Sequence, residues 1–337
     1  MKRIERTFAG RQLVLEAGRM ARQAHGSCMV QYGESAVLCT VVAHDAPTHL
    51  PFFPLTVEYR ERSYAAGKIP GGFFKREGRP GEAEILSARL VDRTIRPMFP
   101  DGFMHETQIM AHVLAADQQN DADVLAILGA SACLCMSKIP FAAAVAAVRI
   151  GRIQGQWILN PTFQQLEFSD VEIVVAGTED AILMVEGGAV EIPEEDLVEG
   201  LIAAHDGIKE LISIQRELLD GISVPKMTWT RIEPSDVLRE RVQAASGGRL
   251  EEAMRIADKA ERSAALASLR EEVVQELLEE FPEEGQMISE LLSAGEKDTM
   301  RRQIVEKGVR ADGRRPDDIR PIACEVKVLP RTHGSAL

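Results

Sequence analysis

The apolar residues of this chain change period once, near Pro234, and that change does most to limit what the chain can fold into. Upstream, short apolar or alternating runs separated by Gly, Pro, Asp and Ser predict strands at Gln12–Glu16, Cys28–Tyr32, Ala36–Val42 and Leu55–Tyr59, arranged as a meander. Ile109–Leu114 reads as a further strand, and Asp121–Ser137 as a helix whose Gly129-Ala-Ser-Ala132 stretch permits close packing on that sheet. Ala146–Ile150, Trp157–Leu159, Val171–Val175 and Ala181–Val185 continue as hairpins, and Pro193 opens a helix that reaches Gln215, with acidic residues in its first turn. From Pro234 to Lys307 nothing resembles a strand, and Leu266, Leu269, Val273 and Leu277 recur at helical spacing. Three or four helices are predicted there, with breaks at Gly247-Gly248, Phe281-Pro282 and Ser293-Ala-Gly295. The fold class is therefore α+β followed by a small all-α domain. The predicted boundaries are a core over 1–217, divided into a main portion over 1–142 and a C-terminal portion over 143–217, then a linker over 218–233, a helical domain over 234–307 and a further segment over 308–337.

At 337 residues with 45% hydrophobic content, the chain can bury two cores of ordinary size. No apolar stretch approaches the roughly 20 residues that span a bilayer, and Met1-Lys-Arg-Ile-Glu-Arg lacks a signal-peptide apolar run, so the expectation is a cytoplasmic protein without a membrane partner. Cys28, Cys39, Cys133, Cys135 and Cys324 show no C-x-x-C spacing and are expected to be reduced and buried. The seven histidines have no metal-ligand spacing, and no metal or catalytic residue is predicted in this chain.

Between the fourth and fifth predicted strands lies the segment richest in chemistry. Gly71-Gly-Phe-Phe-Lys-Arg-Glu-Gly78 places two aromatics and two cations on a loop that glycines keep from becoming helical. Phe73 and Phe74 can stack on bases while Lys75, Arg76 and Arg79 neutralise phosphates, which suits single-stranded nucleic acid. From Arg60 to Arg96 there are nine basic and five acidic residues, inside a chain of net charge -13. Gly81 to Pro97 reads as a helix carrying Arg89, Arg93 and Arg96 at i, i+4 and i+7 on one face. The competing reading is a Phe pair in the core and an ordinary solvated face in which Asp92 pairs with Arg89 or Arg96. A single Asp cannot neutralise three arginines.

The segment Lys68-Ile-Pro-Gly-Gly-Phe-Phe-Lys-Arg-Glu-Gly-Arg-Pro-Gly-Glu-Ala-Glu-Ile-Leu86, with Arg89-Leu-Val-Asp-Arg-Thr-Ile-Arg-Pro-Met-Phe-Pro-Asp-Gly-Phe103, resembles the polynucleotide phosphorylase family in the first of its two RNase PH-like cores. Asn120-Asp-Ala-Asp-Val-Leu-Ala-Ile-Leu-Gly-Ala-Ser131 and Gly313-Arg-Arg-Pro-Asp-Asp-Ile-Arg-Pro-Ile322 resemble the same family further along, so the likeness covers essentially the whole chain. Gly10-Arg11 followed by His25-Gly-Ser27 recurs as Gly313-Arg314 followed by His333-Gly-Ser335, which together with the resemblance marks the start of a second core copy. Segment 308–337 is then the truncated start of that core and is expected to be exposed.

The resemblance implies phosphate-dependent 3′ to 5′ shortening of RNA by the parent protein, a polyribonucleotide nucleotidyltransferase of the cytoplasm that degrades mRNA. Inorganic phosphate is its co-substrate and Mg2+ its cofactor, at a site in the second core and outside this chain. In the family that site carries an Asp, a second Asp six residues on and a Lys two beyond. The matching stretch here is Leu166 to Val174, in which Leu166 and Val174 take the places of an Asp and the Lys, and only Glu172 remains in register. One apolar residue cannot coordinate Mg2+ and the other carries no charge, so this copy is expected to be silent. Asp170 and Glu172 read as solvated residues of one strand face. By the same resemblance the parent is a homotrimer whose loops Phe73, Phe74, Lys75, Arg76 and Arg79 line an RNA channel, with Arg89, Arg93 and Arg96 as basic residues near the pocket and RNA-degradation machinery as a possible partner. Lys75 stands where the family often has Arg, which keeps charge and loses the planar fork. The helical domain has 11 basic and 17 acidic residues between 234 and 307 and is expected to brace the cores, not to bind RNA. The alternatives are a non-catalytic RNA-binding or scaffold subunit, and RNase PH-type tRNA 3′ trimming, which the helical domain and the restarted core disfavour.

Overall fold

The computed structural model describes residues 1–48, 50, 52–72, 78–222, 224–230 and 233–337. The chain forms two compact units, 1–231 and 232–337. Phe73, Phe74, Lys75 and Arg76 lie outside the described residues.

The first unit holds two sheets. The six-stranded one has the order β1-β2-β3-β4-β6-β5, with β1 Lys2–Phe8, β2 Arg11–Ala17, β3 Gly26–Tyr32, β4 Ser35–Pro47, β5 Leu55–Glu61 and β6 His105–Ala115. The predicted meander runs through β4, after which β6 takes the place beside β4 and β5 pairs with it in parallel. A parallel pair needs a crossover, and helix α1, Glu82–Ile95, lies in that connection and packs on β5. Strand β1 had no sequence signal. Its Lys2, Arg3, Glu5 and Arg6 interrupt any apolar alternation, as suits an edge strand protected by charge. The turn that joins it to β2 uses Ala9 and Gly10 at φ 45° and 78°, the left-handed pair a two-residue hairpin requires.

The second sheet is antiparallel throughout, in the order β10-β9-β7-β8, with β7 Ala146–Ile153, β8 Gln156–Leu159, β9 Val171–Gly177 and β10 Ile182–Ala189. Helix α2, Asp123–Met136, touches both sheets, and every residue in it except Cys135 is buried. A helix apolar on all sides belongs inside. Close approach is what seats it. A Cβ on Gly129 would lie 2.6 Å from Cys39 Sγ, and one on Gly26 would lie 2.2 Å from the Cys133 carbonyl oxygen. The single turn α3, Phe163–Leu166, precedes β9, and α4, Glu194–Leu219, packs on β7 and β9 with Gly200 against the Trp157 ring. Cys28, Cys39 and Cys133 are buried free thiols, but Cys324 is exposed, against expectation, because the segment around it has no core to enter. Among the described residues no helix is long and apolar enough to cross a membrane.

The stretch read as a linker is not wholly one. Met227 N–H donates to the Lys138 carbonyl at 2.7 Å, and the Lys226 ammonium donates to the carbonyls of Leu134, Cys135 and Ser137 at 3.1, 3.1 and 2.8 Å. A lysine about 90 residues downstream thus satisfies the orphan carbonyls at the C-terminus of α2 and complements its dipole.

The second unit contains α5 Asp236–Ala253, α6 Lys259–Leu278 and α7 Gly285–Lys307. Leu238, Val242, Leu250, Leu269, Val273, Leu277, Ile288 and Leu292 make its core. Only the predicted break at Phe281-Pro282 is real. Gly247-Gly248 lie within α5 and Gly295 within α7. A glycine costs a helix about 1 kcal/mol, less than Leu238, Val242 and Leu250 on the same helix gain by burial. The true first break is at Met254–Asp258, where the Asp258 carboxylate caps α6 by accepting from Ala260 and Glu261 N–H. Segment 315–337 is exposed except for half-buried Ser335, as expected, and Val326 and Ala336 form an isolated β-bridge within it. Gly313 repeats the left-handed conformation of Gly10, with φ 82° against 78°.

Gly247 and Gly248 would meet nothing within 4 Å on gaining a Cβ. Gly247→Ala and Gly248→Ala are expected to stabilise the helical unit by up to about 1 kcal/mol each in urea unfolding, whereas Gly26→Ala should destabilise the first unit by about 1–3 kcal/mol or more. Lys226→Met should cost about 1.5–3 kcal/mol in the same measurement, by leaving three carbonyls without their charged donor.

Candidate nucleic-acid interface

The basic segment is built on β5 and α1, and two contacts fix its ends. Glu84, in the first turn of α1, accepts from the N–H groups of Gly81 and Glu61 at 2.6 and 2.9 Å, tying the helix start to the end of β5. Arg60, 7% exposed, donates to the Gly78 carbonyl at 3.0 Å and lies 3.6 Å from Glu84. The Phe-Phe-Lys-Arg run belongs to the sequence between these anchors. Arg79 is exposed and has no hydrogen-bond or ion-pair partner among the described residues.

The three arginines of α1 and its C-cap have different fates. Arg96 is consumed by the fold: it chelates Asp92 at 3.0 and 2.7 Å, donates to the carbonyls of Phe53 and Leu55 at 3.0 and 3.1 Å, and lies over the Phe53 ring. Arg93 is paired with Glu186 of β10. Arg89 alone is exposed and without a partner among the described residues, at the rim of a cavity of about 360 Å³ between β5 and α1. The competing reading had offered Asp92 as the only counter-charge. Glu186 comes from another sheet, so sequence proximity could not reveal it.

A second cavity, of about 510 Å³, collects the residues of the silent-site reading. Leu166 from the end of α3 and Glu172 and Val174 from β9 all line it, together with Arg149 of β7. Arg149 donates to Glu172 at 2.6 Å and to Asp121 and Asp123 at 3.1 and 2.7 Å. Burial pushes the Asp123 carboxyl up, against the pull of the Arg149 guanidinium. The expectation that Asp170 and Glu172 are merely solvated is corrected: Asp170 pairs with Arg152 at 2.7 Å and Glu172 with Arg149, because β7 puts a cation opposite each. These residues do not fit a divalent cation. Two of the three key positions are apolar, the third is already bound by an arginine, and no group of three potential ligands comes together among the described residues. Sequence reasoning had passed over Arg149 and its partners. The available signal was a lone charge inside the apolar run Ala146-Ala-Val-Arg-Ile150, which demands a buried counter-ion.

Three stretches of the chain match known families. Residues 9–140 match the 3′ exoribonuclease family, domain 1, and residues 143–207 match domain 2 of the same family. Residues 237–315 match the polyribonucleotide nucleotidyltransferase RNA binding domain. This last match runs against the expectation that the helical domain does not bind RNA. Its net charge is an average, and Arg239, Arg255, Lys259, Lys297 and Arg301 are cations without ion-pair partners among the described residues. Polyribonucleotide nucleotidyltransferases from Gemmatimonas aurantiaca, Thermus thermophilus and Bacillus licheniformis are 54%, 47% and 46% identical to it over 100%, 99% and 98% of the chain. The chain spans about half the length of these relatives, 46%, 48% and 47% in the same order. With both exoribonuclease domains, the helical domain and this identity along its whole length, the chain belongs to the polyribonucleotide nucleotidyltransferase family.

Proposed function

We propose that the protein containing this chain shortens RNA from its 3′ end by phosphorolysis in the cytoplasm, releasing nucleoside diphosphates, and that this chain supplies its RNA-gripping, ring-forming and catalytically silent first core. The observation that carries the silent assignment is the Arg149 cluster. The cavity that holds Leu166, Glu172 and Val174 has its cation and its carboxylates already satisfied by one another. An in-line attack by phosphate needs a free cation for the anion and an acid for the leaving oxygen, and here neither is free. Mg2+ and phosphate then act elsewhere in the parent protein. The work left to this core is to hold single-stranded RNA through Phe73, Phe74, Lys75, Arg76, Arg79 and Arg89, to assemble with further copies into a trimer, and so to feed substrate onward for mRNA degradation. Arg93 and Arg96 contribute to the field of the same surface while bound to Glu186 and Asp92.

Phosphate-dependent release of nucleoside diphosphates by the whole parent protein is the direct test, and a pure scaffold would release none. This chain alone is expected to bind single-stranded RNA weakly and degrade none of it, with or without Mg2+ and phosphate. Activity of this chain that Glu172→Gln abolished would overturn the silent assignment. Replacing Lys75 and Arg76 by Ala should lower the slope of log affinity against log salt by about 1.4, whereas replacing Phe73 and Phe74 should weaken binding by roughly 1–3 kcal/mol per stacked base at unchanged slope.

Arg89→Ala and Arg96→Ala separate binding from folding. The first should weaken RNA binding, lower the salt slope by about 0.7 and leave the unfolding midpoint unchanged. The second should destabilise the core by about 1.5–3 kcal/mol, by unpairing Asp92 and two carbonyls.

A further inference from the structure

The turn that carries Leu166 into the silent cavity has another cavity on its opposite side. Seven residues of 162–170 divide between the two: Leu166, Ser169 and Asp170 line the first, and Thr162, Gln164, Gln165 and Phe168 line the second. Ile153 and Gln154, from the β7–β8 hairpin, complete the second cavity, which has a volume of about 640 Å³. All six of its lining residues are uncharged. The nearby guanidinium of Arg152 is held away by Asp170 and Asp196 and lies over the Trp157 ring, so an anion would find no free cation here.

The lining is instead aromatic and amide. Phe168 is 76% exposed, and Phe163, on the same turn, is 44% exposed. The side-chain amides of Gln154 and Gln164 make no hydrogen bond among the described residues. Gln165 uses only its carbonyl oxygen, accepting from Thr162 N–H at 2.8 Å, and keeps its NH2 free. The turn is held in place by reciprocal capping, as Gln165 N–H donates to Thr162 Oγ1 at 3.1 Å and Phe163 N–H donates to the Gln119 carbonyl at 2.9 Å. Gln154 occupies the left-handed region at φ 50°, followed by Gly155 at 78°. That is an unfavoured place for a glutamine in a two-residue hairpin, and it fixes the point from which the amide departs.

A face for stacking, amides that offer both donors and an acceptor, and no charge are together the chemistry that recognises a nucleobase apart from its phosphate. We propose that this cavity is a base-binding subsite for an unpaired adenine of single-stranded RNA, with Phe168 as the stacking surface and Gln154, Gln164 and Gln165 hydrogen-bonding the base edge. Adenine fits best among the bases because an amide pairs in bidentate fashion with its N6 and N7. The assignment rests on the RNA-binding reading for its biological ligand, but the geometry concerns the base alone. A grip of this kind would hold RNA independently of salt, in addition to a loop whose hold depends on salt.

Adenosine, which carries no phosphate, isolates the subsite. Titrated into this chain, it is expected to shift the side-chain amide NMR signals of Gln154 and Gln164, and Phe168→Ala is expected to abolish the shifts, while inorganic phosphate leaves them in place. With oligoadenylate, Phe168→Ala should weaken binding roughly 5- to 150-fold at an unchanged salt slope, and oligoadenylate should bind better than oligouridylate. Phe168 is exposed, so the variant should fold normally. The proposal is overturned if adenosine shifts none of these amides, or if the shifts survive in Phe168→Ala. Oligonucleotide binding that is lost in the Lys75 and Arg76 variant but indifferent to Phe168→Ala would keep the RNA-binding reading and discard this subsite. Adenosine shifts in a chain that binds no oligonucleotide would do the reverse.

Discussion

The placement of α2 between the two sheets is the constraint on which the rest of the first unit depends. It is buried along nearly its whole length, so it contributes apolar surface to both sheets at once, and it can do so only because Gly26 and Gly129 remove the side chains that would keep it from β3 and β4. Its two ends need different chemistry. At the N-terminus Asp121 and Asp123 suit the positive end of the dipole, but a carboxyl as buried as Asp123 needs a cation, and Arg149 of the second sheet provides it. At the C-terminus the Lys226 ammonium takes three carbonyls. The ends of this helix therefore link the first sheet to the second, and the core to the chain that leaves it.

The same contact underlies the proposal that this core is catalytically silent. Arg149 is the cation of the cavity formed by α3, β9 and β10, and holding α2 leaves it without capacity to hold a phosphate. A structural ion pair and a catalytic cation make opposite demands, because the first must be saturated and the second must have a vacancy for substrate. The apolar side chains at Leu166 and Val174 and the saturation of Arg149 both support the proposal that this core is silent and serves binding and assembly.

Much of this was legible in the sequence, and the gaps have physical causes. Apolar periodicity located every strand of the first unit except β1, whose charges exist to keep an edge from pairing and so remove the alternation that would announce it. The packing role of Gly129 was readable because a helix with that many small residues has few other uses. The breaks at Gly247-Gly248 and Gly295 were misplaced because glycine propensity is a local cost of about 1 kcal/mol, and burial of the same helix's leucines outweighs it. On α1 the spacing put Arg89, Arg93 and Arg96 on one face, whereas the structure sends Arg96 to the Phe53 and Leu55 carbonyls and Arg93 to Glu186, 93 residues away, a counter-ion that no local pattern can assign. The Phe73 to Arg76 run was the most informative stretch of sequence and lies outside the described residues, so its role rests on its chemistry and on the anchors at Arg60 and Glu84 that flank it.

The contrast between Arg89 and Arg96 shows what a basic patch has to satisfy to serve a ligand. Both belong to one helix surface and contribute equally to a count of charge. Arg96 has every direction of its guanidinium filled, by a carboxylate, two carbonyls and an aromatic face, so a phosphate approaching it would have to displace bonds the fold needs. Arg89 makes none of these bonds among the described residues and would lose only water and side-chain freedom on meeting a phosphate. Short-range affinity for a polyanion depends on such unsatisfied donors more than on the total of basic residues, so Arg79 and Arg89, free among the described residues, with the Phe73 to Arg76 sequence, are what support the proposed RNA binding of an otherwise acidic chain.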